Sequence, residues 1–286
     1  MTFRTSIIVL ALTFCVACAA LLCLNFFRNL RCCTLTIPNS LIGIVDGTGA
    51  LPNALFSGAD ASIIDALAPD GSSPVAYNVI LIQDNMRGKN LLIDTGNGGN
   101  LQGELTKVKV LPESVDTILL THSHADHVNG LLAADGQSPA FPNAKVYLTA
   151  AELDFWKASR PDQTAACEAA YNGFSFITPD EKTQVCPPYD IVAFDTAGHT
   201  PGHVSFLVEG NIFVAGDLLH SQLIQFARPE VSPSFDVDKT QAAAVRRRIL
   251  ERAAAEDWDF MAYHLPSWRS GQVIKKGDGF LFSNDK

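Results

Sequence analysis

Clustered positive charge is what this sequence has least of. Its 21 Lys and Arg are outnumbered by 30 Asp and Glu, for a formal net charge of −9. The single basic triplet, Arg246-Arg247-Arg248, lies among alanines with Glu251, Glu256 and Asp257 close behind, and reads as the solvated face of a helix. A surface of this sign repels a phosphate backbone, so no nucleic acid partner is expected. Thiols are sparse beyond the first 33 residues, where only Cys167 and Cys186 of the seven cysteines lie. No Cys-x-x-Cys pair occurs there, which leaves a thiolate zinc cage unsupported. The two cysteines bracket a polar segment and are candidates for a disulfide. Also missing is the Gly-x-Ser-x-Gly elbow of serine hydrolases. Asp94-Thr95-Gly96 stands once, whereas an aspartic protease needs two such triplets facing each other. Neither an internal repeat nor a low-complexity linker divides the chain.

What is present begins with an apolar run. Ser6 to Phe27 carries no charge and is long enough to cross a hydrocarbon core as a helix. An uncleaved N-terminal anchor is therefore expected, placing the protein at a membrane. Ala17, Ala19 and Ala20 offer a cleavage site, and cleavage would make the protein secreted. Cys32 and Cys33 follow the run directly, where palmitate is sometimes attached. The division expected is 1–33 as anchor or signal segment and 34–286 as one catalytic domain, since 286 residues with 47% apolar content suffice for a single large core.

Val-, Ile- and Leu-rich segments at 34–45, 75–82, 91–93, 115–120, 145–148, 191–194, 204–208 and 212–214 read as strands. Asp46-Gly47-Thr48-Gly49 and Asp84 to Gly88 read as turns. Helices are expected over 150–158 and 240–255, the first with Thr149 as N-cap and Glu152 completing a capping box. Two sets of strands, each followed by helices, predict an α+β fold: two sheets packed face to face with helices outside.

The chemistry concentrates in Thr121-His122-Ser123-His124-Ala125-Asp126-His127, directly after the 115–120 strand. Four of these seven residues can bind metal. Three imidazoles and a carboxylate so close together would repel one another if the imidazoles were protonated, and no generic structural demand produces the grouping.

His122-x-His124-x-Asp126-His127 resembles the signature of the metallo-β-lactamase-fold hydrolases. The resemblance runs over roughly residues 37 to 284, because Ala197-Gly198-His199-Thr200-Pro201-Gly202-His203, Ala215-Gly216-Asp217 and Tyr263-His264-Leu265-Pro266 follow in the family's order. It implies a four-layer αββα sandwich and two divalent metal ions. His122, His124 and His199 would hold one ion, Asp126, His127 and His264 the other, with Asp217 bridging. Imidazole and carboxylate donors suit zinc, manganese, iron or cobalt, and zinc is the default. His203 is expected to orient a ligand or a loop. Asp94 resembles the family's buried aspartate that fixes a ligand tautomer; a turn capped by its own Asp side chain is the plainer reading. His220, with Gln225-Phe226, Pro229 and Phe235-Asp236-Val237-Asp238, looks most like the methyl-parathion-hydrolase branch.

The reaction so implied is hydrolysis of an ester, lactone or phosphotriester in a small-molecule substrate, with Asp217, Asp126 and His220 as the catalytic side chains and His220 as a donor to an oxyanion. Phe155, Trp156, Phe174, Phe176, Phe226 and Trp268 are candidates for an apolar pocket. An iron-containing redox or oxygenase member of the fold and a non-catalytic metal-binding module are the competing classes.

Overall fold

A computed structural model describes residues 40–284. In chain order the elements are β1 (Ser40–Pro52), β2 (Phe56–Ser57), α1 (Ala61–Leu67), β3 (Ser72–Asp84), β4 (Lys89–Ile93), α2 (Leu101–Lys107), β5 (Val115–Leu119), α3 (Ala125–Val128), β6 (Lys145–Thr149), α4 (Ala150–Ser159), α5 (Pro161–Ala170), β7 (Ser175–Ile177), β8 (Ile191–Asp195), β9 (Val204–Val208), β10 (Ile212–Val214), α6 (Gln222–Gln225), β11 (Ser232–Pro233), α7 (Lys239–Ala255), β12 (Asp259–Met261), β13 (Gly271–Lys276) and β14 (Gly279–Ser283). The anchor helix expected over Ser6–Phe27 lies outside the described residues. Among the described residues, no helix is long and apolar enough to cross a membrane.

Two six-stranded sheets dominate, ordered β1-β3-β4-β5-β6-β7 and β14-β13-β12-β10-β9-β8. Strand faces explain their stacking, because side chains alternate between the two faces of a sheet. Along β3, Ile80 and Ile82 point to the second sheet and meet Ile191, Phe206, Val208 and Val214, while Val79 and Leu81 point outward to Leu101, Leu105 and Trp156 of α2 and α4. The far face of the second sheet, Phe194, Phe213, Phe260 and Val273, is covered by Ile249, Leu250 and Ala253 of α7. Three apolar layers thus lie between four layers of backbone. Each fully buried Leu, Ile or Phe contributes on the order of 1.5–3 kcal/mol.

Several boundaries differ from the sequence reading. Asp46-Gly47-Thr48-Gly49 is not a turn; β1 runs through it, with a register shift between Val45 and Gly47 against β3. The bulge turns Asp46 inward, where its carboxylate accepts the backbone N–H groups of Asn97, Gly99 and Leu101. Such a kink satisfies a loop and a helix start at once, which composition alone reports as turn chemistry. The β13–β14 hairpin was not read from the sequence at all. Cys167 and Cys186 are both free and belong to different core clusters, Cys167 outside the first sheet and Cys186 between the sheets.

Candidate metal centre

The site forms on one rim of the sandwich, where β5, β10 and β12 end. Beyond β5 the chain turns through Thr121 to Ser123 into the short helix α3, whose N-cap is His124. That turn projects His122, His124, Asp126 and His127 toward the rim ends of the second sheet. β8 delivers His199, β10 delivers Asp217 and β12 delivers His264. The turn at Asp217 needs a glycine before it: Gly216 has φ +57°, and a Cβ there would stand 2.8 Å from His203 Nε2 and 3.0 Å from Thr121.

All seven expected side chains converge. His122, His124, His199 and Asp217 form one group whose donor atoms all lie within 4.8 Å of one another, and Asp126, His127, Asp217 and His264 form a second. Asp217 is common to both. His124 Nδ1 lies 3.1 Å from His122 Nε2 and 2.8 Å from His199 Nε2. On the other side, His264 Nε2 is 3.3 Å from Asp126 Oδ2 and 3.2 Å from Asp217 Oδ2. His127 Nε2 and Asp217 Oδ1 lie 3.2 Å apart, yet both are buried without a hydrogen-bond partner. A buried polar atom without a partner is costly, and two facing each other amid five imidazoles are what a cation would satisfy. The donor set is nitrogen and oxygen throughout, which fits zinc and the neighbouring divalent transition metals.

Protonation divides the two groups. Burial, followed by the neighbouring imidazoles, pushes His124 down to about 3 and holds His122 well below its ordinary value. Those rings are neutral, as ligation requires. Burial acts the same way on His264 but is outweighed by Asp217 and Asp126, which lift it to about 9; His127 is raised by Asp217 and Asp94 against the same penalty. Asp217 itself stays ionised despite burial because His264, His127 and His220 surround it.

The chain belongs to the metallo-beta-lactamase superfamily. The superfamily model matches residues 73–259, which include six of the seven converging side chains. Among curated relatives, a hydroxyacylglutathione hydrolase from Pectobacterium atrosepticum is 27% identical over 144 residues, covering 50% of this chain and 48% of that protein. The chain spans about half the length of the curated relatives it matches first. Among solved structures, the hydrolase AbOPH of the beta lactamase superfamily superposes with TM-score 0.74 at 26% identity, covering 85% of this chain and 92% of its own. AidC, a dizinc quorum-quenching lactonase, superposes with TM-score 0.77 at 24% identity over 86% of this chain and 94% of its own, a likeness of fold.

In this superfamily member the imidazoles are held from behind. Asp94 accepts from His127 Nδ1 at 2.8 Å and from the Thr121 backbone N–H and hydroxyl. It fixes a ring rather than capping its own turn. His264 Nδ1 donates to Ala76 O at 3.2 Å. His203 accepts the Asp217 backbone N–H on Nε2 at 3.0 Å while Nδ1 meets the Thr196 hydroxyl, so it orients the loop that carries Asp217.

His220 lies beside Asp217 at the inner edge of the centre. Burial pushes it down to about 4, so the ring is neutral and has one proton. Nε2 lies 3.0 Å from the ionised Asp217 Oδ2, an acceptor, and therefore carries that proton. That contact orients Asp217, while His220 Nδ1 is buried without a hydrogen-bond partner.

Glu152 does not complete the expected capping box. Thr149 does cap α4, accepting the Glu152 N–H at 3.1 Å, but the Glu152 carboxylate does not return to Thr149. It accepts from the Ser123 N–H and hydroxyl on one oxygen and from Thr200 Oγ1 and the Gly202 N–H on the other. One fully buried carboxylate thereby ties the His122–His127 loop to the His199 loop. Of the six aromatics expected near the site, only Phe155 stands there, 6.1 Å from His124 between ring centroids. Trp156 and Phe226 are buried in the core, Phe174 stacks on Trp156, Trp268 packs against Gly43, and Phe176 is exposed on the edge strand β7. Tyr77, 5.6 Å from His264, and Phe235, 4.7 Å from His220, take their places. Phe235 stood in the sequence only within the Phe235-Asp236-Val237-Asp238 segment and Tyr77 carried no signal, because their place at the site depends on which loops the sandwich brings together.

Proposed function

We propose that this chain hydrolyses a small ester, lactone or phosphotriester with the help of two divalent metal ions, zinc by default. The observation that carries the reading is the convergence of two donor sets on one shared carboxylate, with His127 Nε2 and Asp217 Oδ1 buried 3.2 Å apart and neither in a hydrogen bond. His122, His124 and His199 would hold one ion, Asp126, His127 and His264 the other, and Asp217 would serve both. When bound, ions of this kind polarise a carbonyl or phosphoryl oxygen and lower the pKa of water toward neutrality.

The protein's own part is positioning. Asp94, Asp236 and the Ala76 carbonyl lock His127, His199 and His264 so that each presents Nε2 to the centre. His203 and His220 fix Asp217 from its backbone and its carboxylate. Phe155, Tyr77 and Phe235 stand at its edge with apolar faces that suit an acyl or aryl group. No side chain need form a covalent intermediate.

The test is a hydrolysis screen of the purified chain against aryl esters, lactones, phosphotriesters, thioesters and β-lactams, with and without chelator and with metal content measured in parallel. Chelator-sensitive turnover of one class is expected; turnover of none by a chain loaded with two zinc ions would overturn the proposal. The phosphotriester arm tests the methyl-parathion-hydrolase branch. We also propose that the apolar run before residue 28 tethers the domain to a membrane, which cell fractionation and protease accessibility in intact cells address.

A further inference from the structure

The basic triplet of α7 is not uniformly solvated. Arg246 is 0% exposed and donates in four directions: to Leu218 O at 2.6 Å, to Pro229 O at 2.9 Å, to Val231 O at 2.8 Å and to Asp236 Oδ2 at 3.1 Å. The other oxygen of Asp236 lies 2.8 Å from His199 Nδ1. Arg246 is therefore joined to two of the three segments that supply the first donor group, those of His199 and Asp217. It reaches His199 through a buried carboxylate, and it holds the carbonyl of the residue next to Asp217. The segment between them is pinned as well, for the Val237 and Asp238 backbone N–H groups donate to His199 O and Gly198 O.

We propose that Arg246 and Asp236 are positioning residues which set metal affinity at the His122, His124, His199 and Asp217 position, so that α7 rather than the metal-bearing loops determines how well that position is formed. Guanidinium geometry makes this possible: a rigid planar fork satisfies several acceptors in fixed directions where an ammonium cannot. A carboxylate behind a ligating imidazole fixes its tautomer and raises its basicity, and loss of such a partner lowers metal affinity by about 10- to 100-fold. The inference rests on the metal-centre reading above.

The experiment is competitive zinc titration of the full chain against a chromophoric chelator, comparing wild type with Asp236→Asn and Arg246→Lys, alongside thermal unfolding in excess chelator. Asp236→Asn keeps size and shape, and is expected to weaken one zinc constant by about 10- to 100-fold while the other stays within about threefold. Arg246→Lys should weaken the same constant, and cobalt loaded at one equivalent should show an altered visible spectrum in both variants. A merely structural role would lower the unfolding temperature in chelator and leave both zinc constants alone, and that result would overturn the inference. Should the wild-type chain take up no zinc, the metal-centre reading falls and takes this inference with it.

Discussion

Asp94 and His127 are joined at 2.8 Å from carboxylate to Nδ1, and the aspartate that makes this contact sits at φ +62°. A positive φ is uncommon outside glycine and is tolerated best by Asp and Asn. Here it allows one carboxylate to face both Thr121 and His127, which lie on either side of the turn that carries His122 and His124. Backbone strain and ligand orientation meet in one residue.

Replacing Asp94 with Asn, which accepts the same backbone conformation, should preserve the fold and lower second-position metal affinity by about 10- to 100-fold. Metal content after dialysis, set beside circular dichroism, checks this. An unchanged metal complement would show that His127 needs no help from behind.

Asp217→Ala removes the one carboxylate shared by both donor groups, and metal retention and hydrolysis should be lost together. Elemental analysis of the purified variant is the measurement. A full complement of two ions in an inactive protein would count against a shared role.

Metal uptake should depend on pH differently at the two positions. His264, lifted to about 9, is protonated at neutral pH in the metal-free chain, so a proton competes with the ion there and affinity should rise as pH climbs toward 9. His124, at about 3, imposes no such competition above about pH 5. The linked stability has the opposite sign. Because the folded value for His264 exceeds the unfolded value of about 6.5, its stabilisation is complete below that value and lost as pH rises through 9. Melting curves in chelator from pH 6.5 to 9.5, and zinc titrations over the same range, test both signs.

Glu152→Ala leaves two buried N–H groups and two buried hydroxyls without their acceptor. A destabilisation of about 3–5 kcal/mol is expected, read as a lower denaturation midpoint at constant m-value. Glu152→Gln should cost less, since one amide oxygen remains to accept.

Cys167 is buried and its thiol is pushed up to about 12 by that burial. At pH 8 it should resist alkylation in the native chain and react after unfolding in urea. Peptide-resolved mass spectrometry distinguishes it from the N-terminal cysteines.

The centre was legible in the sequence because ligand chemistry restricts residue types. Few structural demands put three histidines and an aspartate into six positions after an apolar strand, and the later segments with His199, Asp217 and His264 follow in family order. The sheets were legible for a similar reason: β-branched and aliphatic runs with alternating burial have few other uses. Arg246 shows where that reading stopped. Its charge and two arginine neighbours marked a solvated face, although Ala242, Arg246, Ile249, Leu250 and Ala253 share the buried stripe of α7. Helical spacing carried the correct answer, and residue type concealed it.

What the sequence determined by itself, then, was which side chains converge and most of the strands that carry them, with β12 before His264 the exception, since both follow from local composition. What only the tertiary structure decided was the supporting set: Glu152 across two loops, Asp236 behind His199, Arg246 behind Asp236, and His220 turned to Asp217. These contacts join residues separated in the chain by up to 50 positions, as Glu152 and Gly202 are. A hydrogen bond depends on distance and direction, and those exist only once the two sheets have packed and brought the loop ends to the same rim.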